Sequence, residues 1–546
     1  MQAILRPRQI PDARPWARWA TVLCLAAAPV APLAAQAAPG APALDVLITG
    51  GTVYDGTGGA GRVAAVGIRG DRIVFVGAVP AGTTAARRID ASGLIVSPGF
   101  IDPHTHGRDR LREIPTADNL VRQGITTMVE GNDGSSPLPL GAFLDSVAQW
   151  KPAPNVALFV GHGSVRREVM GTANRAATAA ELAAMEALVR QAMADGAVGL
   201  SSGLFYVPGS FAPPWELAAL ARVAAAAGGV YASHMRNEDD SVLAAVSETI
   251  EVGRASGIPV LISHHKVGGR RNYGRSAQSL ALMAAARGAG VDVRFDQYPY
   301  TASHTGISSI VPAWARAEDA LEARLADPAL RARIVAEMQA FVSMRFGDDP
   351  ARIQLARCGF DRTLAGKTLA DVLAARGVPP SSGAISDLVL ELVARGGCSA
   401  IFHSFDEGDV ERLLASPLGM IGSDGALTAH GESSPHPRAY GTYPRVLGRY
   451  VRERGVISLE EAVRRMTSAP AELLGLAGRG RIAPGMMADL VVFNPATVAD
   501  RATFEAPHQY PVGIPHVFVR GVAVVRAGAV TGARPGVVLR GRGTSR

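Results

Sequence analysis

The chain has 546 residues, of which 48% are hydrophobic and 19% are charged, and its formal net charge is +7. This composition has enough apolar surface for a large folded core and argues against extended disorder outside the termini. The positive charge is scattered and almost all arginine, with no polybasic run and no interleaving of basic and aromatic residues. We therefore expect neither nucleic-acid binding nor stable membrane association, and the oligomeric state stays open.

The first 37 residues have the features of a secretory signal peptide. Four arginines precede an apolar run at 20–35, and Ala35-Gln36-Ala37 has the small-x-small pattern of a cleavage site. A membrane anchor is the alternative, but the run is shorter than a span of about 20 residues and contains two prolines. Cys24 lacks the surrounding sequence that lipid attachment needs. We predict a cleaved signal peptide at 1–37 and an exported protein, periplasmic or secreted.

Two cysteines, Cys358 and Cys398, would remain after cleavage. In an oxidising compartment they could form a disulfide, but their spacing does not decide this. Two thiols are too few for a disulfide scaffold, so the stability of the fold must come from its hydrophobic core.

Both ends of the mature chain have short, alternating strand patterns separated by glycine-rich turns. Examples are DVLITGGTVYD and DRIVFVGAV near the start, and ADLVVFNP and HVFVRGVAVVRAG near the end. We predict one small β-sandwich domain built from both termini, 44–92 and 480–546. The glycines of GTGGAG at 56–61 match a dinucleotide fingerprint, but a strand pattern follows where that motif needs a helix, so we interpret them as a turn.

The middle of the chain alternates strand-like runs with helical runs rich in alanine and leucine, which is typical of parallel βαβ units. Eight such strands favour a (β/α)₈ TIM-type barrel in the α/β class, at 93–479. The gap at 301–418 is too helical for a plain loop and predicts an insertion subdomain over the barrel mouth. The predicted helices are 178–195, 214–227, 239–256 and 276–289. The predicted strands are 94–106, 125–131, 155–163, 197–203, 229–235, 259–265, 291–300 and 419–425.

Histidines and a carboxylate lie at the ends of these strands, where barrels carry their catalytic groups. His104 and His106 close the first strand, and residues two apart on a strand point to one face. Alone, such a pair fits buried core histidines as well as metal ligands. His234, His264 and Asp424 at other strand ends change this balance. Four imidazoles and a carboxylate at one barrel mouth indicate a site for one or two divalent cations.

The motifs around these residues resemble those of the amidohydrolase superfamily, and more closely those of the D-aminoacylase (N-acyl-D-amino-acid deacylase) family. The resemblance spans nearly the whole mature chain. It implies a hydrolase acting on C–N bonds other than peptide bonds, with Zn²⁺ or another divalent metal and a small substrate bearing a carboxylate. The ordered motifs are GFIDPHTH, GITTMVEGNDGSS, GLSSGLFYVPG, YASHMRNE, ISHHKVGGRRNYGRS, DQYPY, GSDG, HPRAYGTYPRVLGRYVRE and GRIAPGMMADLVVFNP.

The resemblance also implies roles for single residues. The four histidines would bind metal, and Asp424 would be both a ligand and the catalytic group that moves the proton. Three residues would hold the substrate carboxylate: Lys266, Tyr298 and Arg438. Their chemistry agrees, because a guanidinium forms two parallel hydrogen bonds with a carboxylate and the other two side chains add single donors. The alternative is a surface arginine in a proline-rich loop and a tyrosine packed at the barrel rim.

One position departs from the family pattern. Where D-aminoacylases usually have the cysteine of GNCG, whose thiolate binds or bridges metal, this chain has Asp133. We interpret Asp133 as a metal ligand, since a carboxylate supplies a harder oxygen donor. Glu130 is an alternative ligand, and a turn-capping role for Asp133 is another interpretation. No lysine lies at the end of the fourth strand, so a carboxylated lysine as the bridge is not expected.

The most favoured function is the deacylation of N-acyl-D-amino acids, in which metal-activated water attacks the acyl carbonyl and Asp424 moves the proton. Cyclic amides, as in a hydantoinase or dihydroorotase, dipeptides and aryl amides are alternative substrates in the same superfamily. A serine hydrolase using Ser201 is a different class, but its motif needs a helix directly after GLSSG, and LFYVPGS does not start one. A barrel that only binds its ligand is the remaining alternative.

Overall fold

The computed structural model describes residues 43–544, which belong to one compact unit. The predicted signal peptide at 1–37 lies outside the described residues. Within 43–544, no helix combines the length and the apolar character needed to cross a bilayer. The largest apolar core of this unit lies between the barrel strands and the helices that surround them.

Eight short, buried strands form the predicted barrel and lie side by side in chain order. The third of these strands, Asn155–Leu158, continues as Val160–Gly161, which pairs in parallel with the next strand. Between the last strand and the first, a short parallel pair joins Gly425–Ala426 to Thr105–His106. The barrel strands are β1 (Phe100–Asp102), β2 (Ile125–Glu130), β3 (Asn155–Leu158), β4 (Gly199–Gly203), β5 (Val230–His234), β6 (Val260–Ile262), β7 (Val293–Gln297) and β8 (Gly419–Ile421).

The first predicted strand, 94–106, is three elements rather than one. Its first part, Ile95–Pro98, pairs antiparallel with Leu490–Phe493 in a sheet outside the barrel. The middle part is β1, and Thr105–His106 follows after a break. The prediction of one strand was wrong because the apolar run passes from one sheet to another without a turn signal in the sequence.

Helices follow most of the barrel strands and pack around them. The third predicted helix begins at Val242 rather than 239, because the amides of Asp239 and Ser241 donate to the side-chain oxygen of Asn237 in a turn before the helix. The four predicted helices lie at Ala179–Asp195, Pro214–Ala226, Val242–Ser256 and Ser276–Gly288. The others in this part are Asp118–Val121, Leu140–Trp150, His162–Met170, Glu407–Ala415, Arg438–Arg445, the π-helix Val446–Glu453, Leu459–Met466 and Ser468–Leu474.

Two sheets enclose a separate apolar core, to which Ile68 of one sheet and Val492 of the other contribute. One sheet has the order Arg72–Gly77, Ala65–Arg69, Ala43–Thr49, Thr84–Asp90. The other has the order Ala529–Val530, Val522–Arg526, His516–Val519, Leu490–Phe493, Ile95–Pro98, Thr52–Val53, Arg62–Val63. Strands from both ends of the chain are therefore neighbours, while the domain boundaries at 44–92 and 480–546 stay predictions.

The segment between β7 and β8 has an apolar core of its own. Its antiparallel sheet has the order Ala302–Gly306, Cys398–His403, Ile353–Cys358. Cys358 and Cys398 face each other on neighbouring strands and form a disulfide. The strand register thus settles a pairing that the spacing left open. The α-helices that pack on this core are Leu321–Ala326, Pro328–Phe346, Leu369–Ala375 and Ser382–Ala394.

Candidate metal centre and substrate cavity

The predicted site residues come together at the carboxyl ends of the barrel strands, as in other barrels. Asp133 follows β2, His234 ends β5, His264 follows β6 and Asp424 follows β8. The backbone at Asp133, His264 and Asp424 has positive φ angles of 55°, 35° and 49°. Left-handed backbone is costly for residues with a Cβ and is concentrated at functional sites. The chain therefore bends after these strands to bring the side chains together.

His104, His106 and Asp424 form one part of the polar cluster. The Nε2 atoms of the two histidines are 3.3 Å apart. Asp424 Oδ1 lies 3.0 Å from Nε2 of His106 and 3.8 Å from Nε2 of His104. The main-chain amide of Asp424 donates a 2.8 Å hydrogen bond to the carbonyl of His104, which ties the two segments together.

Asp133 lies between this group and the pair His234 and His264. Its Oδ1 is 3.5 Å from Nε2 of His104 and 3.3 Å from Nε2 of His264. Its Oδ2 is 3.4 Å from Nε2 of His106 and 3.5 Å from Nδ1 of His234. The ligand atoms form two sets that share Asp133. The first set is His104, His106, Asp133 and Asp424, and the second is Asp133, His234 and His264.

Hydrogen bonding and charge both fit divalent cations in this cluster. Asp133 Oδ1 and His234 Nδ1 are buried and lack hydrogen-bond partners among residues 43–544, which is rare for buried polar atoms. Burial raises the pKa of Asp133, but the surrounding imidazoles outweigh this and hold it well below its usual range. Burial also raises the pKa of Asp424, and Arg438 with the histidines holds it well below its usual range. Ionised carboxylates and imidazoles are the donors that zinc and similar cations take.

Glu130, the alternative ligand, belongs to neither set of ligand atoms. Its buried Oε1 accepts hydrogen bonds from the Thr105 hydroxyl and the Gly107 amide, both at 2.6 Å. It therefore holds the segment that carries His104 and His106 in place.

Two carboxylates that support the ligands lie inside the quoted motifs, although no feature of the sequence pointed to a role for them. Asp296, in DQYPY, accepts a 2.8 Å hydrogen bond from the amide of His264 and lies 3.6 Å from Nδ1 of His104. Glu238, in YASHMRNE, lies 3.1 Å from Nδ1 of His264 and 2.7 Å from Nζ of Lys266. Burial raises the pKa of Glu238, but Lys266 and the histidines outweigh this and lower it. Such partners orient imidazole ligands.

The three predicted carboxylate-binding residues converge beside the cluster. The guanidinium carbon of Arg438 lies 4.5 Å from the ring centre of Tyr298, and Lys266 Nζ lies 5.6 Å from it. Arg438 Nη1 is also 2.7 Å from Oδ2 of Asp424, a contact that the sequence did not indicate. The Tyr298 hydroxyl is buried without a hydrogen-bond partner in the described part of the chain. Burial raises the pKa of Tyr298 well above its usual value, so its hydroxyl stays a neutral donor.

These residues line one cavity of about 520 Å³, a volume suited to a small molecule. The barrel contributes the members of the two ligand sets other than His104, together with Phe205 and Tyr206 after β4. The ring of Phe205 stacks on His234 with centroids 5.7 Å apart. The segment between β7 and β8 contributes a second wall, which includes Ser303, His304, Thr305, Gly306, Ser309, Phe341, Arg345, Phe346, Ser399 and Phe402.

Ser201 does not have the setting of a nucleophilic serine. It is buried in β4, where its hydroxyl donates to the carbonyl of Gly131 and accepts from the amide of Gly134 at 3.1 Å. No helix starts directly after β4, since the next helical turn is Gly209–Phe211. Ser201 therefore positions the loop that carries Asp133.

Comparisons with known proteins agree with this geometry and confirm the resemblance. D-aminoacylase of Alcaligenes xylosoxydans xylosoxydans is 40% identical over 518 residues, which are 91% of this chain and 97% of that protein. A solved D-aminoacylase, studied for the role of its binuclear metal center, shares 40% identity and a TM-score of 0.78, covering 91% of this chain and 100% of that one.

An N-acyl-D-glutamate deacylase from Bordetella bronchiseptica has also been solved, with zinc and a phosphonate inhibitor that mimics the tetrahedral intermediate. It is 38% identical with a TM-score of 0.78, and the match covers 91% of this chain and 100% of that chain. A family model described as "Amidohydrolase family" matches residues 87–525. With its eight-stranded barrel and its cluster of imidazoles and carboxylates at the strand ends, this chain belongs to the amidohydrolase family.

Proposed function

We propose that the protein is a metal-dependent amide hydrolase that removes the acyl group from N-acyl-D-amino acids. The observation that carries the proposal is one cavity that holds both a cluster of metal-binding side chains and a group of carboxylate-binding side chains. A substrate carboxylate bound by Arg438, Lys266 and Tyr298 would leave the neighbouring acyl carbonyl beside the cluster. The preference for the D-form rests on the relatives, which are named as a D-aminoacylase and an N-acyl-D-glutamate deacylase.

The side chains of this protein have distinct tasks in such a reaction. A divalent cation bound by the cluster supplies a Lewis acid and lowers the pKa of water. Asp424 is held ionised, so its Oδ1 can accept a proton from the attacking water and pass it to the leaving nitrogen. Arg438 holds the other carboxylate oxygen of Asp424 and fixes its orientation. Glu238 forms an ion pair with Lys266 and fixes the orientation of its ammonium group.

Zinc is the proposed metal, with Asp133 as the shared ligand of two cations. The two sets of ligand atoms that meet at Asp133 support two positions. The solved relatives support both features, since one is described with a binuclear metal center and the other was solved with zinc.

A panel of substrates, used before and after chelation, tests the function. We expect the purified enzyme to hydrolyse N-acetyl-D-amino acids, to lose this activity with a chelator and to regain it with Zn²⁺. N-acetyl-L-amino acids, a hydantoin and a dipeptide are the controls within the superfamily, and a fluorophosphonate tests for a serine nucleophile. Turnover of only the hydantoin, or chelator-resistant turnover that the fluorophosphonate abolishes, would contradict the proposal.

We also propose that the protein is exported to the periplasm or secreted. The basic and apolar pattern of residues 1–37 supports this. The disulfide between Cys358 and Cys398 supports it too, because disulfides persist mainly in oxidising compartments. Cell fractionation with mass measurement of the mature chain tests it, and a cytosolic protein that keeps residues 1–37 would contradict it.

A further inference from the structure

His304 is a cavity-lining side chain that the proposed reaction does not use. It lies in Ala302–Gly306, the edge strand of the antiparallel sheet between β7 and β8. Its Nε2 is buried and has no hydrogen-bond partner within residues 43–544. Buried polar atoms are almost always paired with protein, water or ligand. Because His304 lines the cavity that Asp424 and Arg438 also line, a bound substrate can supply the missing partner.

The position of His304 points to one end of the substrate. Its carbonyl accepts a 3.4 Å hydrogen bond from Nη2 of Arg438. The same guanidinium lies over the ring of Tyr298, whose hydroxyl is also buried and unpaired among the described residues. Two residues that contact Arg438, one through its ring and one through its carbonyl, thus each have a buried side-chain atom without a partner among the described residues. A carboxylate next to this arginine can accept several hydrogen bonds at once.

The charge of the imidazole fits this position. Burial, and then the charge of Arg438, lower the pKa of His304 to about 3. The ring is therefore neutral near neutral pH, and it adds no third positive charge beside Arg438 and Lys266. A neutral imidazole donates one hydrogen bond, and in the Nε2–H tautomer the donor is the buried, unpaired Nε2.

We propose that His304 is a further substrate-binding residue, whose Nε2–H donates a hydrogen bond to the carboxylate of the N-acyl-amino acid held by Arg438. This inference rests on the proposed function. It gives the segment between β7 and β8 a direct part in binding the substrate, in addition to closing the cavity. The alternative is that the imidazole contacts the reacting amide instead of the carboxylate. Measurements of KM and kcat distinguish these two roles.

The experiment compares kcat and KM for N-acetyl-D-leucine in wild type and three variants. His304→Phe keeps a ring and removes the donor, His304→Gln keeps a donor, and His403→Phe is the matched control. His403 lies in the neighbouring strand, pairs with Ala302 and does not line the cavity. Losing one hydrogen bond to a charged group predicts a KM raised about tenfold or more in His304→Phe, with kcat within about threefold. We expect His304→Gln to recover part of this loss and His403→Phe to match wild type.

Three outcomes would overturn the assignment. An unchanged KM in His304→Phe would show that the imidazole does not contact the substrate, and a fall in kcat at constant KM would place it at the reacting amide. An equal rise of KM in His403→Phe would indicate a general effect on the sheet. If His304→Phe melts early, His304→Ala gives the same comparison by removing atoms only. Wild type that hydrolyses no N-acyl-D-amino acid would contradict the proposed function itself.

Discussion

The cavity has two walls that are built in different ways. The barrel wall consists of loops at the ends of parallel strands, and it carries charged side chains in contact with one another, such as Asp424 and Arg438. The wall between β7 and β8 is an antiparallel sheet with helices and a core of its own. It presents mainly aromatic and neutral polar side chains, and its cavity-lining cation, Arg345, is paired with Asp239.

This difference separates the chemistry, together with binding of the substrate carboxylate, from contacts with the rest of the substrate. Side chains that bind a cation or move a proton must hold their positions within a fraction of an ångström, and the barrel provides this through its strand ends. Contacts with the rest of the substrate need a surface that can vary without disturbing the cation. Changes at the metal-binding and proton-moving residues of the barrel wall should therefore reduce kcat or metal content, whereas changes in the other wall should act on KM or on stability.

Asp424→Asn should have the largest effect. The amide keeps the shape of the side chain but cannot accept the proton, so we expect kcat to fall by about 10²–10⁴-fold or more. The ligands on the other strands remain, so we expect the variant to keep most of its bound metal. Measurement of kcat together with metal content by mass spectrometry checks this, and an active variant would show that another group moves the proton.

Asp133→Asn should act on metal content first. The variant loses the negative charge that both sets of ligand atoms share, so we expect fewer metal ions per chain and weaker activity. Asp133→Cys is the matched control, because a thiolate restores an anionic ligand that is softer than a carboxylate. Metal analysis and the visible spectrum of the Co²⁺-loaded proteins distinguish the two. Wild-type metal content in Asp133→Asn would contradict the assignment of Asp133 as a ligand.

Arg438→Ala should raise KM for N-acyl-amino acids by roughly 10–100-fold, since it removes a charged partner of the substrate carboxylate. Because Arg438 also contacts Asp424, we expect kcat to fall as well, by a smaller factor. Arg438→Lys keeps the charge without the planar guanidinium, so its KM should lie between those of wild type and Arg438→Ala. Steady-state kinetics with N-acetyl-D-amino acids checks this. An unchanged KM would show that the carboxylate binds elsewhere.

The sequence could predict the site residues that lie in recognisable motifs at strand ends. It could not predict the contacts between residues from distant segments. His234, His264 and Asp424 follow recognisable strands, so their convergence follows from the barrel alone. Nothing local indicates that Glu238 pairs with Lys266 or that Arg438 contacts Asp424, because these contacts depend on loop conformations.

The same holds for the fold. The strand predicted at 94–106 passes between two sheets, a change that hydrophobic alternation does not record. His304 carries no motif, and its unpaired nitrogen can be recognised only when its surroundings are known. The four predicted helices lie within three residues of their predicted bounds because helical periodicity is a local signal, and Thr178 adds a capping signal at the start of Ala179–Asp195.

Removal of the disulfide should have the smallest effect on turnover and thereby test the separation of the two walls most directly. Cys358 and Cys398 are 40 residues apart in the sequence and buried, so alanine at both positions avoids adding buried hydroxyl groups. We expect the free energy of unfolding to fall by about 2–4 kcal/mol, while kcat for N-acetyl-D-leucine stays within about twofold. Thermal melting and kinetics with and without reductant check this, and the double variant should not respond to reductant. A large fall in kcat without a change in melting would show that this sheet takes part in the chemistry, and the two walls would then act as one.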